Sequence, residues 1–128
     1  MKKKLPITIV MITLNEEHHL SKYLKKLNDL FESVLIVDSY SKDETIEIAL
    51  NEGVNIVQRK FVSFSDQWNF AINNSFIKTP WIMKLDPDER LSDELIKNIE
   101  LAVKDPEFEG YFFKRRLWFL GKKMNIEN

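Results

Sequence analysis

Short apolar runs alternate with amphipathic stretches along the whole chain. Residues 7–12, 34–37, 54–57 and 81–85 are continuously or nearly continuously apolar. They lack period-two alternation, which predicts strands covered on both faces. Between them the spacing predicts helices. Asn15 is placed to cap the first, with Glu16 and Glu17 near its positive dipole end, and Leu20, Leu24, Leu27 and Phe31 share one face. Ser41-Lys42-Asp43-Glu44 has the form of a capping box. Ile46, Ala49 and Leu50 then make the buried side, and Gly53 is a stop. Ser63 or Ser65 opens a third helix with Trp68, Ala71, Ile72 and Phe76 facing in. Ser92-Asp93-Glu94 opens a fourth, carrying Leu95, Ile96, Ile99 and Val103 and ended by Asp105-Pro106. Residues 111–120 predict one further strand.

This order implies the α/β class: an open, mostly parallel sheet with right-handed crossovers and helices on both faces. No repeat or linker divides residues 1–128, which read as a single domain. In open parallel sheets ligands bind beyond the carboxyl ends of the strands, where strand order reverses. With an order 3-2-1-4, that crevice lies between strands one and four. Thr13-Leu14-Asn15-Glu16 and Asp86-Pro87-Asp88-Glu89 follow those strands, and Asp38-Ser39 follows strand two. Three polar clusters thus converge on one crevice.

Composition narrows the chemistry. With 19 basic and 20 acidic residues, charge gives no argument for nucleic acid. Cysteine is absent, so disulfides, thiolate metal sites and a cysteine nucleophile are excluded. His18 and His19 have no third ligand at metal spacing and read as surface or packing residues. Only three glycines occur and none follows strand one, so neither a GxGxxG cradle nor a Walker loop is present. Phosphates bound here need another positive charge. Asp86 and Asp88, one residue apart beside a φ-locking Pro87, are hard oxygen donors suited to Mg²⁺ or Mn²⁺. The stretch reads as a metal–diphosphate site, although Asp-Pro-Asp is also good turn chemistry.

Three ordered strings now resemble family 2 inverting glycosyltransferases of the GT-A fold: Ile9-Val10-Met11-Ile12-Thr13-Leu14-Asn15-Glu16-Glu17, Val37-Asp38-Ser39-Tyr40-Ser41-Lys42-Asp43-Glu44-Thr45, and Leu85-Asp86-Pro87-Asp88-Glu89. The likeness is nearest to bacterial enzymes of lipopolysaccharide core and other surface glycans, where a string like Gln67-Trp68-Asn69-Phe70-Ala71-Ile72 recurs. The resemblance implies a Rossmann-like donor domain holding a nucleotide-sugar, UDP-linked by default, with Mg²⁺ or Mn²⁺. Thr13 and Asn15 would line the base and ribose side, with Glu16 and Gln67 in the same site. Asp38 would accept a hydrogen bond from the base edge. Asp86 would lie near the ribose and metal-bound water, and Asp88 would ligate the metal. Leu14 stands where many relatives carry a stacking tyrosine, and Trp68 where many carry a basic residue.

The acceptor implied is a glycan or lipid-linked hydroxyl. That points to the cytoplasm and to peripheral association with the inner face of the membrane. No residue after Glu89 matches the family's general base, which the resemblance therefore places beyond Asn128. The chain is accordingly expected to be the nucleotide-binding N-terminal part of a longer enzyme. Two readings of Arg115 and Arg116 stand: solvated residues of an edge strand, or guanidinium groups near the diphosphate. The aromatic segment 111–120 would then lack its cover and drive self-association. Two other classes remain open. An aspartate-dependent phosphatase or phosphotransferase would want its DxD after the first strand, and a non-catalytic assembly module would bind no nucleotide.

Overall fold

The computed structural model describes residues 3–105, together with the backbone of 110–113 and 118–122. The elements follow as β1 (Leu5–Thr13), α1 (Glu17–Leu30), β2 (Phe31–Asp38), α2 (Thr45–Glu52), β3 (Asn55–Gln58), α3 (Phe64–Ile72), β4 (Trp81–Lys84), α4 (Asp93–Lys104), β5 (Gly110–Phe113) and β6 (Trp118–Lys122). They build a sheet of order β3-β2-β1-β4-β6-β5. β1 runs parallel to β2 and β4, and β2 parallel to β3. The expected order 3-2-1-4 is therefore present, with its reversal between β1 and β4.

The continuous apolar runs have the expected cause. Ile7, Ile9 and Met11 of β1, Val34 and Ile36 of β2 and Met83 of β4 pack with Leu20, Leu24 and Leu27 of α1, Ala49 of α2 and Ile99 of α4. Their neighbours Val10, Leu35, Val37 and Ile82 face the other way, against Ala71, Trp68 and Ile72 of α3. The central strands have a helix layer on both sides, so neither face is left to solvent.

Several local expectations are corrected. The single strand over 111–120 is two antiparallel strands, with Tyr111 opposite Leu120, and β6 pairs antiparallel with β4. Lys114-Arg115-Arg116 falls between them in sequence, and a local antiparallel pair needs only a short connection. Those arginines, the strands' aromatic side chains and the residues from Lys123 to Asn128 lie outside the described residues. Asn15 does not cap α1; Glu16 holds that position, without a side-chain cap bond. The supposed capping box does not open α2 either, because Glu44 precedes it and makes no side-chain cap. Leu50 is 62% exposed, for α2 has eight residues and turns Thr45 and Ala49 inward instead. Phe76 lies beyond α3 and is exposed.

Other stops and starts match the sequence. Ser63 and Ser92 accept from the backbone N–H groups of Asp66 and Leu95, capping α3 and α4. Gly53 ends α2 at φ 77°, the left-handed region that favours glycine.

Candidate functional site

Strand register brings the predicted clusters to one edge. Thr13 pairs with Asp38 across β1 and β2, and Val10 with Lys84 across β1 and β4. Past the strands, Ser39 N donates to Thr13 O (3.0 Å), Arg59 N to Asp38 O (2.8 Å) and Leu85 N to Val10 O (3.0 Å). The chain leaves β1, β2, β3 and β4 side by side at the carboxyl end of the parallel strands.

Asp38 organises that edge from inside. It has no solvent-exposed surface. Its Oδ1 accepts from Thr13 Oγ1 (2.6 Å) and Ser41 Oγ (2.5 Å), and its Oδ2 from Ser41 N (2.7 Å). Contact with a base edge therefore requires the 39–41 loop to move aside. Thr13 is also buried, its hydroxyl committed to Asp38.

The loops after β1 and β2 are stitched together. Ser41 Oγ accepts from Asn15 N (2.7 Å), while Asn15 Oδ1 accepts from Lys42 N (2.8 Å). Asn15 (φ 54°) and Tyr40 (φ 63°) both occupy the left-handed region, which for non-glycine residues is uncommon. This is why Asn15 is lost as a cap: its side chain serves the neighbouring loop. Thr45 Oγ1 accepts from Glu16 N (2.9 Å), Asp43 Oδ2 from Glu17 N (3.1 Å) and Glu17 Oε1 from Glu44 N (3.0 Å). The N–H groups that lead into α1 are thus satisfied by side chains of the β2–α2 loop, and Glu17 in turn satisfies one of that loop's. Burial pushes the Asp43 carboxyl up, but bonds from Thr45 Oγ1, Thr45 N and Glu17 N outweigh it and hold it below its ordinary value. Glu16 turns its carboxylate to His19 Nδ1 at 3.0 Å.

Gln67 is fully buried on α3 and ties two strand ends together. Its Nε2 donates to Ser39 Oγ (3.1 Å) and Arg59 O (3.4 Å), and its Oε1 accepts from Arg59 Nη1 (3.1 Å). Arg59 also pairs with Asp66 and lies 4.6 Å from the Phe70 ring centre.

Asp86 and Asp88 are exposed, whereas the intervening Pro87 and the following Glu89 are buried. Glu89 closes the turn reciprocally: its N donates to Asp86 O (3.0 Å) and its Oε1 accepts from Asp86 N (3.1 Å). Arg90 Nη1 donates to Pro87 O and Glu89 O, and its guanidinium sits 4.4 Å from the Tyr23 ring centre. Tyr23 OH in turn accepts from Leu91 N (2.9 Å), fastening the turn to α1. Two hard carboxylates open to solvent on a braced turn fit an ion that keeps positions for phosphate oxygens and water. Among the described residues no three His, Cys, Asp or Glu side chains form a closed cage.

Sequence reasoning named Thr13, Asn15, Glu16, Asp38, Gln67, Asp86 and Asp88, and all lie on or just behind this edge. The general base expected beyond Asn128 falls outside the described residues. Sequence reasoning gave Glu89 and Thr45 no role of their own and read Ser41 and Asp43 only as helix-capping residues, whereas all four hold the others in place. The D-x-x-E spacing of Asp86 and Glu89 was the available signal for the first. For the other three the contacts that join the two loops carried none, since those partners lie 26 to 29 residues away.

The chain belongs to glycosyl transferase family 2, whose model matches residues 8–124. It is 32% identical over 111 residues to an uncharacterized glycosyltransferase of Rickettsia typhi, covering 87% of this chain and 36% of that protein. It is 31% identical to the lipopolysaccharide core biosynthesis glycosyltransferase LpsC of Rhizobium meliloti, covering all of this chain and 48% of the relative. The chain thus spans between a third and a half of these proteins. Among solved structures it resembles glucosyl-3-phosphoglycerate synthase from Mycobacterium tuberculosis, crystallised with Mn²⁺, UDP and glucosyl-3-phosphoglycerate. The TM-score is 0.54 at 17% identity, over 63% of this chain and 33% of that one. That likeness establishes the GT-A type of fold. Among the described residues no helix is long and apolar enough to cross a membrane.

Proposed function

We propose that this chain is the donor-binding part of a metal-dependent, inverting glycosyltransferase acting on a glycan or lipid-linked hydroxyl in surface polysaccharide or lipopolysaccharide synthesis. One observation supports it most: the ends of β1, β2 and β4 lie side by side, setting the exposed Asp86–Asp88 turn at the same edge as the Thr13–Asp38–Asn15 cluster. A nucleotide-sugar, UDP-linked by default, lies along that edge. Its base and ribose rest on the stitched 13–16 and 38–41 loops, with Gln67 holding Ser39 in place behind them. Asp88 and Asp86 would hold a Mg²⁺ or Mn²⁺ ion, which when bound would neutralise charge on the diphosphate leaving group. The buried Glu89 keeps both carboxylates aimed outward, and positioning of the donor supplies much of the remaining rate. An acceptor hydroxyl attacks the anomeric carbon from the face opposite the diphosphate, so no serine or cysteine nucleophile is required. None of Thr13, Asp38, Asp86, Asp88 or Glu89 is assigned as the base on that hydroxyl.

Titration with UDP, GDP and their sugar conjugates, with Mn²⁺ and then with chelator, tests the reading. The expected result is nucleotide binding that chelator weakens at least tenfold, together with a preference for diphosphates over monophosphates. Phosphatase turnover without nucleotide-sugar preference would favour the aspartate-nucleophile class. Absence of any nucleotide binding would favour an assembly module.

A further inference from the structure

The cations at this edge are not equivalent. Arg59 is neutralised by Asp66 and bonded to Gln67, and Arg90 is engaged by backbone carbonyls and the Tyr23 ring. Lys84 differs. It is the last residue of β4, two positions before Asp86, and is half-buried. Alternation along β4 places it on the side of Ile82, the face covered by α3. There its ammonium sits 4.6 Å from the centre of the Trp68 ring. Among the described residues no carboxylate oxygen lies within ion-pair distance of it.

The half-buried side chain lays its stem against the protein and its ammonium over an aromatic face, a contact that holds the charge in place without neutralising it. Such a group is held in position yet electrostatically unfinished. Its neighbour in sequence is the turn that presents Asp86 and Asp88. With no glycine-rich cradle in the chain, phosphate oxygens here draw on few fixed positive charges.

We propose that Lys84, steadied by Trp68, is an anion-binding residue of this edge and contacts the diphosphate of the donor directly. The inference rests on the nucleotide-sugar reading above and adds a named residue to it. Lysine acts there as a point charge on phosphate, with Trp68 as a positioning residue that limits where the ammonium can go.

Calorimetric or ligand-observed NMR titration of UDP and of uridine, each with Mn²⁺, separates the possibilities in wild type, Lys84→Gln and Lys84→Arg. Lys84→Gln is expected to weaken UDP about tenfold, the scale of one charge-assisted hydrogen bond, and to leave uridine unchanged. Lys84→Arg retains UDP within about threefold, and the salt dependence of UDP binding falls in Lys84→Gln only. Should Lys84→Gln not fold, Lys84→Met, which keeps the apolar stem over Trp68, reads the same loss of charge. UDP bound by Lys84→Gln as tightly as by wild type overturns the proposal, as does an equal loss of uridine, which marks a structural effect. A wild-type chain that binds neither ligand fails the nucleotide-sugar reading itself, and Lys84 falls with it.

Discussion

Removing the Asp38 carboxylate should damage the fold before it damages anything else. In Asp38→Ala the hydroxyl of Thr13, the hydroxyl of Ser41 and the N–H of Ser41 all lose their acceptor, the first in a place closed to water and the other two on a half-buried residue. An unsatisfied buried donor costs about 1–3 kcal/mol. The hydroxyls can rotate toward other acceptors and the half-buried Ser41 amide can reach water in part, so about 2–3 kcal/mol is expected in total. Asp38→Asn separates charge from shape. Its carbonyl can still accept from Ser41 N, while its amide faces two hydroxyls, one of which already accepts from Asn15 N. About 1–2 kcal/mol is expected for that change. Urea unfolding followed by far-ultraviolet circular dichroism measures both. The order wild type, then asparagine, then alanine should appear in the midpoints with little change in slope. Asp38→Ala within about 0.5 kcal/mol of wild type, the scale of an ordinary surface substitution, would refute the reasoning.

Three other perturbations follow from the same contacts. Asn15→Ala removes the acceptor of Lys42 N and leaves a left-handed backbone without a residue suited to it, and should lose about 1–2 kcal/mol; Asn15→Gly should recover part of that in the same unfolding assay. Glu89→Ala frees the turn that carries Asp86 and Asp88, and should weaken Mn²⁺-dependent UDP binding about tenfold while Glu89→Gln, which can still accept from Asp86 N, stays closer to wild type. Asp43, whose carboxyl is held low by Thr45 and Glu17, contributes stability that is complete above the ordinary carboxylate range near pH 4 and is lost as pH falls through its lowered value. The stability gap between wild type and Asp43→Asn should therefore close on acidification, and a gap that widens contradicts the assignment.

What could be read without coordinates was whatever depends on covering both faces of a sheet. The uninterrupted runs of β1, β2 and β4 demanded two helix layers, and the βαβ pattern implied parallel strands with right-handed crossovers; the strand order itself was an assumption that the sheet bears out. Gly53, Ser63 and Ser92 were legible because their chemistry is local. Asn15 and Ser41 misled for the opposite reason. Each has the side chain of a helix cap, yet each directs it across a gap of 26 or 27 residues to the other's loop. A one-dimensional pattern shows the donor type but not which loop will lie opposite. The 111–120 segment was read as one strand because its apolar content is continuous on both sides of the basic run, and pairing with itself leaves no signature in composition. At the candidate site the carboxylates could be named from their spacing, whereas the burial of Asp38 and the bracing by Glu89 are properties of packing.

The proposed function requires that two exposed aspartates hold an ion that grips a diphosphate. Calorimetric titration of UDP in the presence of Mn²⁺, comparing wild type with the Asp86→Ala/Asp88→Ala chain, measures this most directly. Both positions are exposed, so the double replacement should leave the unfolding midpoint nearly unchanged. Binding that is tight in wild type and lost in the double variant is the predicted result; equal affinity in the two chains would contradict the account.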